Sequence, residues 1–328
     1  MTAYLGVDVG ATTTKVAVAD EHGQLLASGS GGPGGFLFDP AERQRVAAVV
    51  AAAVDDVLTR AGCRWVRAAY LAVTGLGFGR TVPELAAALA DCAEAVFMDA
   101  DPVAAHAGAL GGGAGTVVIA GTGSVAYASD GSRWARAGGW GYLLGDQGSA
   151  YDLGRRGLVA ALRSLDGRGP ATALLAALAA AVDELWGLPW DPVQGPGELV
   201  SLVYRRSTKA DLAALAPAVL GRAAAGDPVA MDIRRQGAFE LARLAVAAAG
   251  GAGLGRAPVA LVGGTLTDAG YRQAVTTAVS GEGLAVVAPA AGPLWGAITL
   301  AAKRAGTPLL ATAQASLADA LGRPATGP

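Results

Sequence analysis

The sequence is poor in the residues that build disulfide frameworks, metal clusters and charged surfaces. Its 328 residues include two cysteines, two histidines and 16% charged residues, with a net charge of −2. Cys63 and Cys92 do not have the spacing of a zinc site or of a disulfide-rich secreted domain, which fits a reducing compartment. No stripe of Lys and Arg is present, so nucleic acid is not an expected partner.

Long apolar runs are also missing. Alanine-rich stretches such as residues 171–182 end at charges well short of the roughly 18 apolar residues that a membrane helix needs. Met1 leads directly into an apolar strand without the basic flank and apolar core of a signal peptide. We therefore expect a cytoplasmic protein that does not contact a membrane.

The residues that are abundant are apolar residues and glycine. Apolar residues make up 52% of the chain, and 49 residues are glycine. This composition is typical of an ordered globular protein, and the length favours two domains. A glycine run near residue 112 is a candidate hinge. The sequence predicts an N-terminal domain over residues 1–112, a C-terminal domain over residues 113–305 and a loosely tied tail over residues 306–328.

A first glycine-rich hairpin lies close to the N-terminus. Residues 6–15 read GVDVGATTTK, which predicts a strand, a tight turn and a second strand. Because no helix follows the glycines, the hairpin is not a Rossmann dinucleotide fingerprint. Glycine lets a backbone approach a ligand closely, so a glycine turn followed by hydroxyl groups suits a phosphate chain.

Asp8 lies inside the first of these strands among apolar neighbours. A carboxylate is costly there unless it is paired or binds a metal. Mg²⁺ prefers one or two carboxylates together with phosphate oxygens. Asp8 is therefore a candidate magnesium ligand, and the alternative is a carboxylate that caps the turn.

A second glycine-rich hairpin opens the most informative stretch, residues 117–152. The apolar strand VVIA leads into Gly121-Thr122-Gly123-Ser124, and a later glycine-rich loop carries Asp146. A glycine turn of phosphate size, followed by a carboxylate held between glycines, suits a site that binds a phosphate and a polyol together.

A third carboxylate follows an apolar strand in the segment FMDADPVAA. Pro102 fits the first turn of a helix, so Asp101 is a candidate N-cap. The carboxyl end of a strand is also where an α/β enzyme keeps a catalytic base. Both interpretations stay open, and Asp99 is the competing candidate for the base.

Together these motifs resemble the BadF/BadG/BcrA/BcrD-type ATPase family, and within it the N-acetylglucosamine kinase branch of the actin-like sugar kinase superfamily. The similarity spans roughly residues 4–302, in the segments GVDVGATTTK, DADPVAA, VVIAGTGS, GGWGYLLGDQGSAYDLGRRGL, AAAGDPVA and LVGGTL. It implies an α/β fold of two actin-like (ribonuclease H-like) domains with a ligand cleft between them. It also implies an ATP-dependent kinase for a hydroxyl of an amino sugar, with N-acetylglucosamine at O6 as the first expectation.

The resemblance also implies roles for individual residues. Asp101 corresponds to the general base, and Asp8 faces the phosphates through Mg²⁺. The residues implied to bind ATP are Gly10, Ala11, Thr12, Thr13, Lys15, Thr122, Gly123, Ala223, Gly263 and Gly264. The residues implied to bind the sugar are Gly34, Gly35, Asp101, Ser124, Val125, Gly139, Trp140, Gly141 and Asp146.

The first sugar loop, residues 31–36, departs from the pattern of the family. Its sequence, GGPGGF, has no polar side chain that could recognise the 2-substituent of a sugar. The substrate therefore stays open among N-acetylglucosamine, glucosamine, N-acetylmannosamine, N-acetylmuramic acid and glucose. Trp140 either stacks on the sugar or wedges its hairpin, and we favour the wedge.

Three other functions fit the sequence less well. An activator ATPase of a dehydratase needs cysteines that share an iron–sulfur cluster, and neither cysteine lies in a glycine loop. A sugar-responsive regulator needs a helix-turn-helix, for which there is no room before Tyr4. A non-catalytic binder does not need all three candidate carboxylates. We expect a small-molecule sugar as the partner and leave a homodimer open.

Overall fold

The fold was analysed in a computed structural model. The structure describes residues 1–35, 37, 39–77, 80–187, 191, 199–201, 203–204 and 207–322. The chain forms two compact units, of which the first contains Met1–Val117 and the segment that begins at Ala288. The second unit is formed by Val118–Val287.

The first unit is a five-stranded sheet with helices on both faces. Its strands lie in the order β3-β2-β1-β4-β5, with β2 antiparallel to β1 and β3, and with β1, β4 and β5 parallel. The strands are β1 (Ala3–Val9), β2 (Thr14–Asp20), β3 (Leu25–Gly31), β4 (Val66–Val73) and β5 (Ala93–Ala100). The helices are α1 (Pro40–Arg60), α2 (Pro83–Ala87), α3 (Asp101–Ala109), α10 (Pro293–Arg304) and α11 (Ala311–Leu321).

The second unit repeats this plan. Its sheet has the order β10-β9-β6-β7-β8, with β10 parallel to β9 and β7 antiparallel to β8. The strands are β6 (Gly115–Ala120), β7 (Ser124–Ser129), β8 (Trp134–Gly138), β9 (Val259–Val262) and β10 (Val286–Val287). The helices are α4 (Ala150–Leu165), α5 (Leu174–Trp186), α6 (Lys209–Ala213), α7 (Ala216–Ala224), α8 (Pro228–Gly251) and α9 (Ala269–Gly281), with a 3₁₀ turn at Gly264–Thr267. The predicted pair of α/β units, each with a mixed five-stranded sheet, is confirmed.

The C-terminal segment differs from the predicted domain boundaries. Residues 288–305, predicted to belong to the second domain, lie in the first unit, where Trp295 and Ile298 of α10 pack against Tyr4 and Tyr70 of the sheet. The boundary between the two units falls between Val117 and Val118, within β6, rather than at the predicted residue 112. Helix α10 belongs to the first unit because the second face of the first sheet is apolar and needs a helix to cover it.

The predicted loose tail, residues 306–328, contains the helix α11 (Ala311–Leu321). Ala313 and Leu317 of α11 are buried in the first unit, and the Trp295 indole N–H donates to the Gln314 carbonyl over 2.8 Å. The tail is therefore held by burial and by a hydrogen bond up to the end of α11. Residues 323–328 lie outside the described residues.

Several predicted helix boundaries are reproduced. Asp39 caps α1, and its carboxylate accepts hydrogen bonds from the backbone N–H groups of Ala41 and Glu42. The helix predicted over residues 209–225 is two helices, α6 and α7, with Pro217 in the first turn of α7. The helix predicted over residues 198–204 falls partly outside the described residues. No helix among the described residues is long and apolar enough to span a membrane.

Candidate active site

The parallel strands of the first unit bring two of the predicted carboxylates to one edge of the sheet. Asp8 near the end of β1 pairs in register with Ala72 of β4, which pairs with Asp99 near the end of β5. Asp101 follows β5 directly, and its negative charge adds to the rise that burial causes in the pKa of Asp8. The carboxyl ends of neighbouring parallel strands thus place Asp8 and Asp101 close enough to interact.

Asp101 does not cap α3, so the cap interpretation is wrong. Helix α3 begins at Asp101 itself, its N-cap is Ala100, and no side chain caps it. The Asp101 carboxylate instead accepts a hydrogen bond of 2.9 Å from the Thr74 hydroxyl, which follows β4. Burial raises the pKa of Asp101, and the Thr74 hydrogen bond opposes that rise. Sequence reasoning missed Thr74 because nothing in the pattern pairs the two residues.

The Asp99 carboxylate already has two side-chain partners. Its carboxylate accepts a hydrogen bond of 2.8 Å from the Tyr70 hydroxyl and forms an ion pair with Arg304 of α10. Alternate residues of a strand point to opposite faces, and Asp99 faces the side of the sheet that α10 covers. These contacts favour Asp101 over Asp99 as the candidate base.

The surroundings of Asp8 disfavour its negative charge in a way that a bound cation would relieve. Its side chain keeps partial solvent access, but burial raises its pKa to about 7, with a further rise from Asp101 and a decrease from Lys15. A bound cation would remove this penalty, since it would compensate both carboxylates. The described residues contain no cluster of three or more metal-binding side chains, but Mg²⁺ needs only one or two carboxylates beside phosphate oxygens. The residues present therefore fit magnesium.

Most residues of the first hairpin that are predicted to bind ATP are accessible to a ligand. Gly10 closes the turn by donating its N–H to the Thr13 carbonyl over 3.1 Å. Ala11, Thr12 and Lys15 are exposed, and Thr13 is half-buried. Thr14 is fully buried, and its hydroxyl has no partner among the described residues, so the hydroxyl groups that remain accessible are those of Thr12 and Thr13.

The first sugar loop rests on this hairpin. The Gly34 N–H donates to the Gly10 carbonyl over 2.9 Å, and a Cβ on Gly34 would lie 2.7 Å from the same oxygen. A Cβ on Gly35 would lie 2.1 Å from Glu42 Oε1, and the Arg45 guanidinium donates to the Gly34 carbonyl. Close packing against backbone therefore requires glycine at position 34, whereas a side chain at Gly35 would displace only the flexible ends of Glu42 and Arg45. Phe36 lies outside the described residues.

The second hairpin is closed in the same way. The Gly121 N–H donates to the Gly123 carbonyl over 2.9 Å, and Thr122 is half-buried between them. The Gly121 carbonyl accepts two further hydrogen bonds, from the Ala150 N–H at 2.9 Å and from the Thr265 hydroxyl at 3.0 Å. The turn is thus tied both to the start of α4 and to the 3₁₀ turn.

The residues predicted to contact the nucleoside lie in two different environments. Gly263 and Gly264 are exposed, and a Cβ on Gly263 would lie 2.3 Å from the Ala120 carbonyl oxygen. Ala223 is buried at the end of α7, and its carbonyl accepts a hydrogen bond from the Gly226 N–H. The glycines can approach a ligand, whereas the Ala223 side chain belongs to the core.

Asp146 is the centre of the site in the second unit. It is 4% exposed and, with a φ of 64°, is the one non-glycine residue in the left-handed region among those the structure describes. Its Oδ1 accepts a hydrogen bond of 3.1 Å from the Ser124 backbone N–H, and its Oδ2 lies 2.6 Å from the Lys209 Nζ. Strained backbone of this kind is typical of functional loops. Lys209 gives no signal in the sequence because it begins a helix far along the chain.

The loop after Asp146 is braced from three directions. The Ser124 hydroxyl donates to the Gln147 carbonyl over 2.8 Å, so that predicted sugar contact is used internally. The Gly148 N–H donates to Asp152 over 3.0 Å, and the Gly148 carbonyl accepts a 2.6 Å hydrogen bond from the Tyr271 hydroxyl. Tyr271 is fully buried in α9, and burial raises its pKa.

Trp140 does not wedge the hairpin. Its side chain is 64% exposed, and the Arg136 guanidinium lies 4.2 Å from the centre of its ring. Gly139 and Gly141 on either side both have positive φ, and a Cβ on Gly139 would lie 3.0 Å from the Val125 side chain. The favoured interpretation is therefore wrong, and the exposed ring is available to stack on a ligand.

Comparison with known proteins identifies the family. The model of the BadF/BadG/BcrA/BcrD ATPase family matches residues 5–301 of this chain. The chain belongs to this family.

Two relatives are named as kinases of amino sugars. An N-acetylmuramic acid/N-acetylglucosamine kinase of Clostridium acetobutylicum is 36% identical over 143 residues, which cover 43% of this chain and 44% of the relative. The match thus spans less than half of the length of that curated relative. A solved structure assigned as an N-acetylglucosamine kinase of Chromobacterium violaceum is 27% identical, with a TM-score of 0.75 over 92% of this chain and 99% of that chain.

A more distant solved structure supports the fold alone. A glucokinase of Streptomyces griseus from the ROK family is 17% identical, with a TM-score of 0.52 over 92% of this chain and 99% of that chain. The predicted fold class, α/β with two actin-like units, is confirmed.

Proposed function

We propose that this member of the BadF/BadG/BcrA/BcrD ATPase family is an ATP-dependent kinase for a hydroxyl of an amino sugar, with N-acetylglucosamine at O6 as the first candidate. The proposal rests above all on the pair formed by Asp8 and Asp101, two interacting carboxylates beside an exposed glycine turn. The two named relatives favour an amino sugar as the acceptor. The O6 position rests on the sequence resemblance.

Asp101 is the proposed general base. In phosphoryl transfer, the protein mainly positions the reactants and compensates charge, and a carboxylate takes the proton of the acceptor hydroxyl. The Thr74 hydroxyl occupies Asp101 Oδ2 and favours the ionised carboxylate, which the base needs. The other oxygen, Oδ1, then accepts the proton from the sugar hydroxyl.

ATP and Mg²⁺ are the proposed cofactors. Magnesium, when bound, would compensate negative charge on the phosphates. Asp8 would hold the cation, and Lys15 on the paired residue of β2 adds a positive charge beside it. The exposed turn around Thr12 is proposed to bind phosphate groups through backbone N–H groups and hydroxyls. The turn around Thr122 is a second proposed phosphate-binding turn.

Asp146 is the proposed sugar ligand. A carboxylate accepts charge-assisted hydrogen bonds from two neighbouring hydroxyls better than an amide does. The Ser124 N–H fixes one of its oxygens, so the orientation of the carboxylate is set before a sugar binds. Such preorganisation lowers the entropic cost of binding.

A coupled assay of ADP release tests the proposal. Wild-type protein with Mg²⁺ and ATP is mixed in turn with N-acetylglucosamine, N-acetylmannosamine, N-acetylmuramic acid, glucosamine and glucose. We expect ADP release that depends on the sugar and is fastest with an N-acetylated hexosamine. ADP release that is independent of all five sugars would contradict the proposal.

A further inference from the structure

Two polar side chains of α1 fill the space beside Gly35 of the first sugar loop, residues 31–36. A Cβ on Gly35 would lie 2.1 Å from Glu42 Oε1 and 2.9 Å from Arg45 Nη2. The loop itself contributes no polar side chain. A carboxylate and a guanidinium therefore stand where a polar side chain of the loop would begin.

Arg45 ties this pair of side chains to the backbone of the loop. Its Nη1 and Nη2 groups donate to the carbonyls of Pro33 and Gly34, each over 3.2 Å. Its Nε and Nη2 groups also donate to the two carboxylate oxygens of Glu42, over 3.0 and 2.6 Å. A two-point contact between a guanidinium and a carboxylate fixes the orientation of both groups. The Glu42 carboxylate is thus held in place against the loop.

Glu42 keeps acceptor sites for a ligand. Each of its carboxylate oxygens takes one hydrogen bond from Arg45, whereas an ionised carboxylate has about four acceptor sites. The hydrogen bond from Arg45 lowers the pKa of Glu42, which keeps the carboxylate ionised. The Glu42 side chain is 32% exposed, so a ligand can reach it.

The loop that carries this pair also touches the first hairpin. The Gly34 N–H donates to the Gly10 carbonyl over 2.9 Å, and Gly10 belongs to the turn proposed to bind phosphate groups. Arg45 contacts the carbonyl of the same glycine, Gly34. The Glu42–Arg45 pair therefore lies one loop away from the place where an acceptor sugar must meet the phosphate.

We propose that the Glu42 carboxylate, oriented by Arg45, accepts a hydrogen bond from the group on C2 of the sugar and so replaces the polar side chain that the first sugar loop lacks. This inference rests on the proposed function, because it assumes that the first sugar loop contacts the sugar. The carboxylate selects sugars that carry a donor on C2, such as an amide N–H or a hydroxyl. A sugar without such a donor leaves the carboxylate unpaired in the complex, which disfavours it.

The test compares a sugar that has a donor on C2, N-acetylglucosamine, with one that has none, 2-deoxyglucose. The ratio of their kcat/KM values is measured at saturating Mg-ATP for the wild type, for Glu42→Ala and for the double variant Gly35→Asn/Glu42→Ala. Glu94→Ala is the matched control. Glu94 also forms an exposed ion pair, with Arg67 over 2.8 Å, but it lies at the start of β5, at the opposite edge of the sheet from the loop.

We expect Glu42→Ala to lower the ratio about tenfold or more, because the donor on C2 loses its acceptor, and Glu94→Ala to leave the ratio unchanged. The double variant should recover most of this loss. Removal of the Glu42 carboxylate clears the space beside Gly35, and the side-chain oxygen of an Asn there can accept the same hydrogen bond. The KM for ATP should stay at the wild-type value in Glu42→Ala, since the contact between Gly34 and Gly10 is kept.

Three results would overturn the inference. A wild-type ratio near one, or a ratio that Glu42→Ala leaves unchanged, would show that Glu42 does not recognise the group on C2, while the kinase activity itself would stand. A ratio that falls in Glu42→Ala and stays low in the double variant would make Glu42 a support of the loop rather than a ligand of the sugar. ADP release that no sugar stimulates in the wild type would instead overturn the proposed function, and this inference with it.

Discussion

At the scale of single residues, the site depends on carboxylates whose surroundings oppose their charge. Asp8 is the clearest case, because burial and Asp101 raise its pKa to about 7 from an ordinary value of 3.8. The folded protein therefore holds a proton that the unfolded chain releases as the pH rises above about 4. The contribution of Asp8 to stability is full below that pH and is lost as the pH rises to about 7.

The first prediction follows from this pKa. Without nucleotide and Mg²⁺, Asp8→Asn should raise Tm relative to the wild type, and the increase should be larger at pH 8 than at pH 5. Turnover should nevertheless fall more than tenfold, because the variant no longer compensates the metal. Thermal unfolding at both pH values and the ADP assay measure the two effects. A Tm difference that does not change with pH, or normal turnover, would remove Asp8 from this role.

The second prediction concerns Thr74. Its hydrogen bond lowers the pKa of Asp101, so Thr74→Val should raise that pKa and shift the acidic limb of the kcat profile to higher pH. Turnover should fall at neutral pH and recover in part at alkaline pH. Thr74→Ser keeps a hydroxyl and serves as the control. If Thr74→Val lost turnover equally at every pH, Thr74 would act on the structure alone.

The limits of sequence reasoning are also visible at this scale. The sequence correctly places Asp101 directly after a strand. Helix α3 begins one residue earlier than the cap interpretation assumes, so the N-cap is Ala100 and not Asp101. The pairs Thr74–Asp101 and Lys209–Asp146 join residues that are distant in the chain. Such pairs follow from the tertiary fold, and no local pattern predicts them.

At the scale of elements, glycines fix how turns meet. The Gly34 N–H reaches the Gly10 carbonyl, and any side chain at Gly34 would push the first sugar loop away from the first hairpin. Gly32, in the same loop, has room for a Cβ, whose nearest contact would be Val49 at 3.7 Å. The two glycines therefore form a matched pair for mutation.

The third prediction uses this pair. Gly34→Ala should lower Tm by several degrees and raise the KM for ATP, because the turn at Gly10 must move. Gly32→Ala should leave both values close to those of the wild type. Differential scanning fluorimetry and ATP titrations measure the two variants side by side. Equal behaviour of the two variants would show that the contact between the loop and the hairpin does not matter.

The fourth prediction concerns the brace between α9 and the loop of Asp146. Tyr271→Phe keeps the buried ring and removes the hydroxyl that donates to the Gly148 carbonyl. We expect a loss of about 1 to 3 kcal/mol in the free energy of unfolding, since a buried acceptor is left unpaired. The KM for the sugar should rise severalfold while the KM for ATP changes little. A change confined to the KM for ATP would assign the brace to the nucleotide instead.

At the scale of the whole molecule, periodicity and turn residues predicted two α/β units and most strands within a few residues. The prediction that residues 288–305 belong to the second domain is wrong. After β10 the chain returns to the first unit. Both α10 and α11 are amphipathic, and a sequence pattern gives the apolar face of a helix but not the sheet that the face covers. The return of the chain is a property of the fold as a whole.

The account depends most on Asp101 as the base of a sugar kinase. The decisive measurement is ADP release from Mg-ATP with N-acetylglucosamine, compared among the wild type, Asp101→Asn and Asp99→Asn. The amide of Asp101→Asn can still accept the Thr74 hydrogen bond, so its Tm should stay within about 2 °C of the wild type and ATP binding should be retained. We predict sugar-dependent turnover in the wild type, at least a hundredfold lower kcat in Asp101→Asn, and a kcat within a few-fold of the wild type in Asp99→Asn. Substantial turnover in Asp101→Asn would contradict the account.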